Sequence, residues 1–223
     1  MKKILFVVTS HGEMGDSGKK TGYWLSEVVH PYSVLYTDYQ IDVVTPKGGR
    51  PPVDGFDLTD PLNKKFWDDP QWQVKMSNTL TPDKVNADDY VAVFYAGGHG
   101  AMWDFPDNER LAEIASRIYA NGGYVSAVCH GPAGLLKIKK EDGSLLIHGK
   151  KLDSFSNAEE IANGTQHIVP FMLQTALEAE GADYQCGAPF TDHVVVDGRL
   201  ITGQNPMSAL SVGQALLKAL KTK

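Results

Sequence analysis

Cysteine is scarce in this sequence: Cys129 and Cys186 are the only two among 223 residues. Two thiols cannot build a disulfide framework, and neither stands at a zinc-ligand spacing, which points to a reducing, cytoplasmic setting. Positive charge is short as well. Against 27 Asp and Glu there are 21 Lys and Arg, a formal charge of −6 with no basic stripe. Such a balance argues against nucleic acid or an anionic membrane as the main partner. No apolar run approaches the ~20 residues of a membrane-spanning helix. The opening run Ile4 to Val8 is short and meets Thr9-Ser10-His11-Gly12, so it reads as a buried first strand and not as a signal peptide. Also missing are Ser/Gly linkers, charge blocks, low-complexity segments and internal repeats, so residues 1–223 read as one domain.

What is present is an alternation of apolar strands and amphipathic segments. Ile4 to Val8, Ile41 to Thr45, Tyr90 to Ala96 and Tyr124 to Val128 are near-continuous apolar runs, as expected of parallel strands covered on both faces. Between them, a helix is expected from about Pro31 to Tyr39, with Glu27 just before it. Asp107 to Asn121 shows helical periodicity and stops at Gly122-Gly123. After the fourth strand a helix is expected to about Lys139, then a turn-rich excursion, a strand over Lys151 to Phe155 and an N-cap pattern at Ser156. Phe171 to Glu180 reads as helix, Asp197-Gly198 as a hairpin turn, and Ser208 to Leu220 as a closing amphipathic helix. The pattern calls for an α/β fold: a three-layer, doubly wound, mostly parallel sheet of flavodoxin-like type. Residues 46–82 break the rhythm with Pro, Gly, Asp and interspersed aromatics, and are expected to form a lid or an interface.

The chemistry concentrates where the fourth strand ends. Ala127-Val128-Cys129-His130-Gly131 has the small-x-nucleophile-x-Gly form of a nucleophile elbow, in which a strand turns sharply into a helix. Backbone N–H groups and a helix dipole at that position predict a thiol that ionises more easily than a free one. In an open α/β sheet the site lies beyond the carboxyl ends of the strands. Gly97-Gly98, at the end of the third strand, should therefore meet the elbow and present N–H groups to an oxyanion, with the His130 amide as partner. His130 needs an orienting acid, and Glu159 and Glu160 are the nearest plausible carboxylates. His11, Glu13, His99 and His148 lack a metal-ligand spacing and read as polar loop residues; no metal is expected.

Four segments carry a family resemblance: Ala127-Val128-Cys129-His130-Gly131-Pro132-Ala133, Ala96-Gly97-Gly98-His99-Gly100, Ser26-Glu27-Val28-Val29-His30-Pro31, and the run from Val196 to Ala209. Together they resemble the ThiJ/PfpI superfamily, of the class I glutamine amidotransferase-like fold. The insertion and the Glu-x-x-x-Pro segment are most similar to its heat-shock chaperone and glutathione-independent glyoxalase (glyoxalase III) branch. The resemblance implies Cys129 as nucleophile with His130 beside it, a carboxylate near the thiol at Glu27, and an acidic third member after Phe155. Counted from Phe155, that member is Glu160, with Glu159 as the alternative. It further implies a cofactor-free homodimer that converts methylglyoxal or a related 2-oxoaldehyde to D-lactate or the corresponding 2-hydroxy acid. A rival expectation is a holdase that binds unfolded protein clients through exposed Trp67, Trp72 and Trp103. Deglycase, amidase or peptidase chemistry at the same cysteine is a third.

Overall fold

The computed structural model describes residues 1–222. Lys3–Val7 (β1) leads through a long loop to the helix Leu25–Leu35 (α1) and the strand Gln40–Val44 (β2). After the short helices Pro61–Trp67 (α2) and Pro70–Ser77 (α3) come Tyr90–Tyr95 (β3), Glu109–Ala120 (α4) and Tyr124–Val128 (β4). Asn157–Ala162 (α5), the hairpin Val194–Asp197 (β5) and Leu200–Gly203 (β6), and Ala209–Lys221 (α6) follow. The six strands lie in the order β2-β1-β3-β4-β6-β5; the first five are parallel and β5 runs against β6. The order reverses between β1 and β3, which places a crevice beyond the carboxyl ends of those strands.

The strands are apolar throughout because both faces of the sheet are covered. On one face Leu5, Val7, Val93, Tyr95, Val125 and Ala127 pack under Leu111, Ile114, Ala115 and Ile118, the i, i+3, i+4, i+7 stripe of α4. On the other, Ile4, Phe6, Ala92 and Phe94 meet α1 and α6, with the Phe6 and Phe94 rings 4.8 Å apart. Each such fully buried side chain contributes roughly 1.5–3 kcal/mol. The helices α1 and α6 approach closely: a Cβ on Gly213 would lie 2.7 Å from Pro31 Cα.

Several elements depart from what the sequence suggests. Helix α1 starts at Leu25, six residues before Pro31, so Glu27 sits in its first turn. Pro31 removes one N–H from the ladder, and burial of Leu25, Val28, Val29 and Leu35 holds the helix across it. The segment after the elbow is only a five-residue 3₁₀ turn, Gly131–Leu135. Lys151–Leu152 pairs with Asp183–Tyr184 outside the main sheet, so the expected strand is two residues long. Residues 46–82 are more ordered than their composition suggests. Asp60 and Asp69 accept from the first backbone N–H groups of α2 and α3, each followed by proline at the first helical position. Val53–Asp54 adds a two-residue pairing to Tyr23–Trp24. Phe66 and Trp72 turn inward and pack edge-on against Tyr32 of α1. Trp72 is 2% exposed, so it offers no surface to a protein client. Trp67 packs on Phe56, and Trp103 stacks on His11.

Candidate active site

Cys129 stands at φ 60°, a left-handed conformation that a side-chain-bearing residue adopts at a cost of about 1–3 kcal/mol. Main-chain bonds on both sides hold it there: its N–H donates to Gly203 O at 2.9 Å, and its carbonyl accepts from Phe155 N at 2.8 Å. The turn also needs glycine at position 131, where a Cβ would lie 2.2 Å from Tyr95 O. The elbow is therefore present, with the sulfur at the end of β4.

The imidazole beside it completes a relay. Sγ lies 3.4 Å from His130 Nδ1, and His130 Nε2 lies 2.7 Å from Glu160 Oε2. His99 Nε2 approaches the other carboxylate oxygen at 2.9 Å, and the Thr165 hydroxyl donates to that same oxygen. Burial alone would raise the Glu160 carboxyl, but its bonds to His130 and His99 outweigh that and hold it well below the usual carboxylate range. For His130, burial first and His99 second push the imidazole down to about 4, against the pull of Glu160. At neutral pH the pair is thus a carboxylate and a neutral imidazole. A carboxylate only accepts, so both Nε2 atoms carry hydrogen, and His130 Nδ1 is a bare acceptor facing the sulfur.

Glu27 reaches the site from the first turn of α1. Its Oε2 accepts the Gly97 N–H at 2.8 Å, while Oε1 is sealed without a hydrogen-bond partner. Burial raises Glu27 to about 8 despite Cys129 and the Gly97 amide, so the carboxyl is protonated at neutral pH. The thiol moves opposite to expectation. Burial and then the Glu27 carboxyl push Cys129 well above its ordinary value, and the Gly98 N–H pulls the other way. A five-residue 3₁₀ turn has little dipole to oppose burial. At neutral pH the Glu27 carboxyl and the thiol therefore each carry a proton.

The two glycines divide their tasks. Gly97 gives its N–H to Glu27 and not to an oxyanion, and a Cβ there would lie 2.4 Å from Glu27 Oε2. Gly98, at φ 102°, aims its N–H at the sulfur. Glu159 is a structural acid. It forms a capping box with Ser156, and its Oε1 accepts from Phe190 N and Asn205 Nδ2. Of the neighbouring acids, Glu160 is the one that meets His130. His99 is brought into the cluster although its sequence context shows only a polar loop residue after a strand. His99, His130 and Glu160 are also the described residues whose donor atoms, all within 4.8 Å of one another, form a metal-capable set. Both imidazoles already donate to the carboxylate.

Above the sulfur is a cavity of about 170 Å³, walled by Trp24, Phe155, Phe190, Pro206 and Met207, with Asn163 at the edge. Among the described residues no Lys or Arg lines it. Phe155 lies against the His130 ring, with centroids 4.5 Å apart, and shields the relay.

The chain is similar to known proteins over nearly its whole length. A family model described as the DJ-1/PfpI family matches residues 20–219. The chain is 36% identical over 239 residues to the glutathione-independent glyoxalase HSP31 of Saccharomyces cerevisiae, covering 99% of this chain and 98% of the relative. It is 33% identical to glyoxalase 3 of Candida albicans, covering 99% of both. Among solved structures, the Rapid Encystment Protein 24 KDa of Francisella tularensis superposes with a TM-score of 0.94 at 40% identity, covering 99% of each chain. Candida albicans glyoxalase III superposes with a TM-score of 0.91 at 31% identity, covering 98% and 97%.

Proposed function

The chain belongs to the DJ-1/PfpI family, and from that premise we propose that it is a glutathione-independent glyoxalase converting methylglyoxal or a related 2-oxoaldehyde to the 2-hydroxy acid. The observation that carries this reading is the bare His130 Nδ1 at 3.4 Å from a thiol on a strained elbow, under a small pocket without a Lys or Arg. Such a pocket suits an uncharged carbonyl compound better than a phosphorylated or carboxylated one. The enzyme's own thiol takes the part that glutathione would otherwise play.

The reaction follows from the proton positions. His130 Nδ1 takes the thiol proton as Sγ adds to the aldehyde carbon C1, and the C1=O electron pair moves to oxygen. The Gly98 and His130 main-chain N–H groups face the oxygen that develops charge. His130 then passes its proton to that oxygen, giving a neutral hemithioacetal. Glu27 is protonated, so the imidazole is the group free to take the C1 proton. The C1–H pair becomes the C1=C2 bond, the C2=O π pair moves onto oxygen, and the C1 hydroxyl proton passes to that oxygen; the imidazole then returns the carbon proton to C2 as the O1 pair forms the thioester C=O, leaving a new C2 hydroxyl. Water cleaves the thioester and frees the thiol. No oxidant is needed, because C1 is oxidised as C2 is reduced. Glu27 keeps its proton and stabilises sulfur while it is negative. A cytoplasmic homodimer forms part of the same reading.

Cys129→Ala removes the nucleophile. Purified protein without glutathione should form D-lactate from methylglyoxal, and the variant should form none while keeping its thermal transition. D-lactate formation by the variant at the wild-type rate would sink the mechanism.

A further inference from the structure

His99 has no part in the chemistry above, yet it sits inside the cluster. Its Nε2 donates to Glu160 at 2.9 Å, and its ring lies 4.2 Å from that of His130. Its other ring nitrogen, Nδ1, has no hydrogen-bond partner among the described residues and is not sealed from solvent. The residue lines the substrate cavity. Its free nitrogen therefore opens on the space where a hemithioacetal would stand.

The isomerisation leaves a task for such a group. When the C1–H proton moves to C2, the C2 oxygen must gain a proton and the C1 oxygen must lose one. His130 is engaged with carbon, and Glu27 is held by Gly97 and the sulfur. We propose that His99 Nδ1 is the second acid–base group of the site, shuttling a proton between the two adjacent oxygens of the enediol while His130 moves the carbon proton. This inference rests on the glyoxalase reading.

The balance is as follows. His130 takes the C1 proton as the C1–H pair becomes the C1=C2 bond and the C2=O π pair moves onto oxygen. His99 Nδ1, whose ring gives its Nε2–H to Glu160, accepts the O1 proton and hands it to the C2 oxygen in the same motion, which leaves O1 negative beside the charged His130 ring. In the second half His130 returns its proton to C2 and the O1 pair forms the thioester C=O. Nothing else is consumed, and His99 ends as it began. The hand-over is concerted because a charge on His99 disfavours one on His130.

The titratable groups at this place are Glu160 and His130, in contact with His99, and Cys129 and Glu27 at the pocket floor. His99→Gln tests the proposal, because its amide can keep the bond to Glu160 while providing no acid at the Nδ1 position. With methylglyoxal, kcat should fall roughly 10²-fold or more, as loss of a general acid–base does, with KM within about three-fold of wild type. The alkaline limb of the kcat–pH profile should change shape, and C1-deuterated substrate should lose more label to solvent, because the enediol lives longer. A purely structural His99 would give a lowered profile of unchanged shape and unchanged label loss, and that overturns the proposal. So does a variant with wild-type kcat. If His99→Gln does not fold, His99→Asn takes its place under the same criteria. Wild-type protein that makes no 2-hydroxy acid brings down the glyoxalase reading and this one with it; an active wild type beside an unaffected variant brings down only this one.

Discussion

Two histidine–carboxylate pairs of the same length stand in this protein, one fully buried and one whose imidazole is 29% exposed, and they behave differently. His130 and Glu160 are 2.7 Å apart, and so are His193 and Asp153. Glu160 is held well below the usual carboxylate range, whereas burial lifts Asp153 up to about 6 against Thr202 and His193. The difference is one of donors. Glu160 accepts from two imidazoles and the Thr165 hydroxyl, which together occupy both oxygens. Asp153 has one oxygen on His193, with Thr202 its other favourable neighbour, and its second oxygen is sealed without a hydrogen-bond partner among the described residues. A buried carboxylate keeps its charge when its lone pairs are filled, and one short contact does not suffice. The proposed relay needs the first environment, because only an ionised Glu160 forces the proton of His130 onto Nε2 and leaves Nδ1 open to the thiol.

The largest effect should come from making Glu160 resemble an uncharged partner. Glu160→Gln keeps the shape but can present an amide N–H to one imidazole, which turns that ring over to the other tautomer. Loss of the correct tautomer in a comparable relay costs on the order of 10⁴-fold, so kcat should fall by about 10²–10⁴-fold with Cys129 still present and the fold intact. Steady-state D-lactate formation measures it; a variant within ten-fold of wild type would mean that the carboxylate charge does not set the tautomer.

A smaller step removes one donor only. Thr165→Val leaves both histidines in place and takes the hydroxyl from Glu160 Oε1. Hydrogen bonds to charged groups contribute about 1.5–3 kcal/mol, so Glu160 should titrate higher in the variant. The acid limb of the kcat–pH profile should move toward neutral pH, with a several-fold loss at its plateau. An unmoved limb would show that two imidazoles suffice, and the donor argument would narrow to them.

How much of this was legible in the sequence depends on whether a feature is local. Strands β1 to β4 announce themselves as apolar runs, and the elbow as Ala127-Val128-Cys129-His130-Gly131, because each is written in consecutive residues. Glu160 emerged as one of two adjacent acids after Phe155. Which of them turns toward His130 is settled by the capping box, whose third position takes Glu159 into the helix start. Other features need the tertiary structure. Glu27 is an unremarkable helix acid until α1 lays it against Gly97, and only a family resemblance pointed to it. The direction of the Cys129 shift depends on burial, which a strand–turn motif does not encode. His99 joins the cluster through a residue 61 positions away. In residues 46–82 the signal was present and outweighed: Asp60-Pro61 and Asp69-Pro70 are helix starts, but the surrounding Gly, Pro and Asn mask them.

The smallest effect on activity, and the sharpest test of the second pair, comes from Asp153→Asn. Asp153 bonds to His193 and not to Cys129, His130 or Glu160, so kcat should stay within about three-fold, the usual range for a substitution outside the reacting groups. Stability is where the change should appear. In the fold Asp153 keeps its proton up to about 6, against an ordinary value of 3.8, so between those limits the folded state binds more protons than the unfolded one. Unfolding free energy therefore falls as pH rises through that window and is level above it. Glu160 works in the opposite direction, since its depressed carboxyl contributes stability that is lost as pH drops. The two slopes overlap only around the ordinary carboxylate values, because the Glu160 effect lies below 4.5 and the Asp153 effect runs from 3.8 to about 6. Replacing Asp153 removes one of them, so urea midpoints measured at pH 4.5, 5.5 and 7 should rise more steeply with pH in the variant than in the wild type. Parallel midpoint curves would mean that Asp153 is already ionised in the fold, and that a single imidazole can hold a buried carboxylate charged after all.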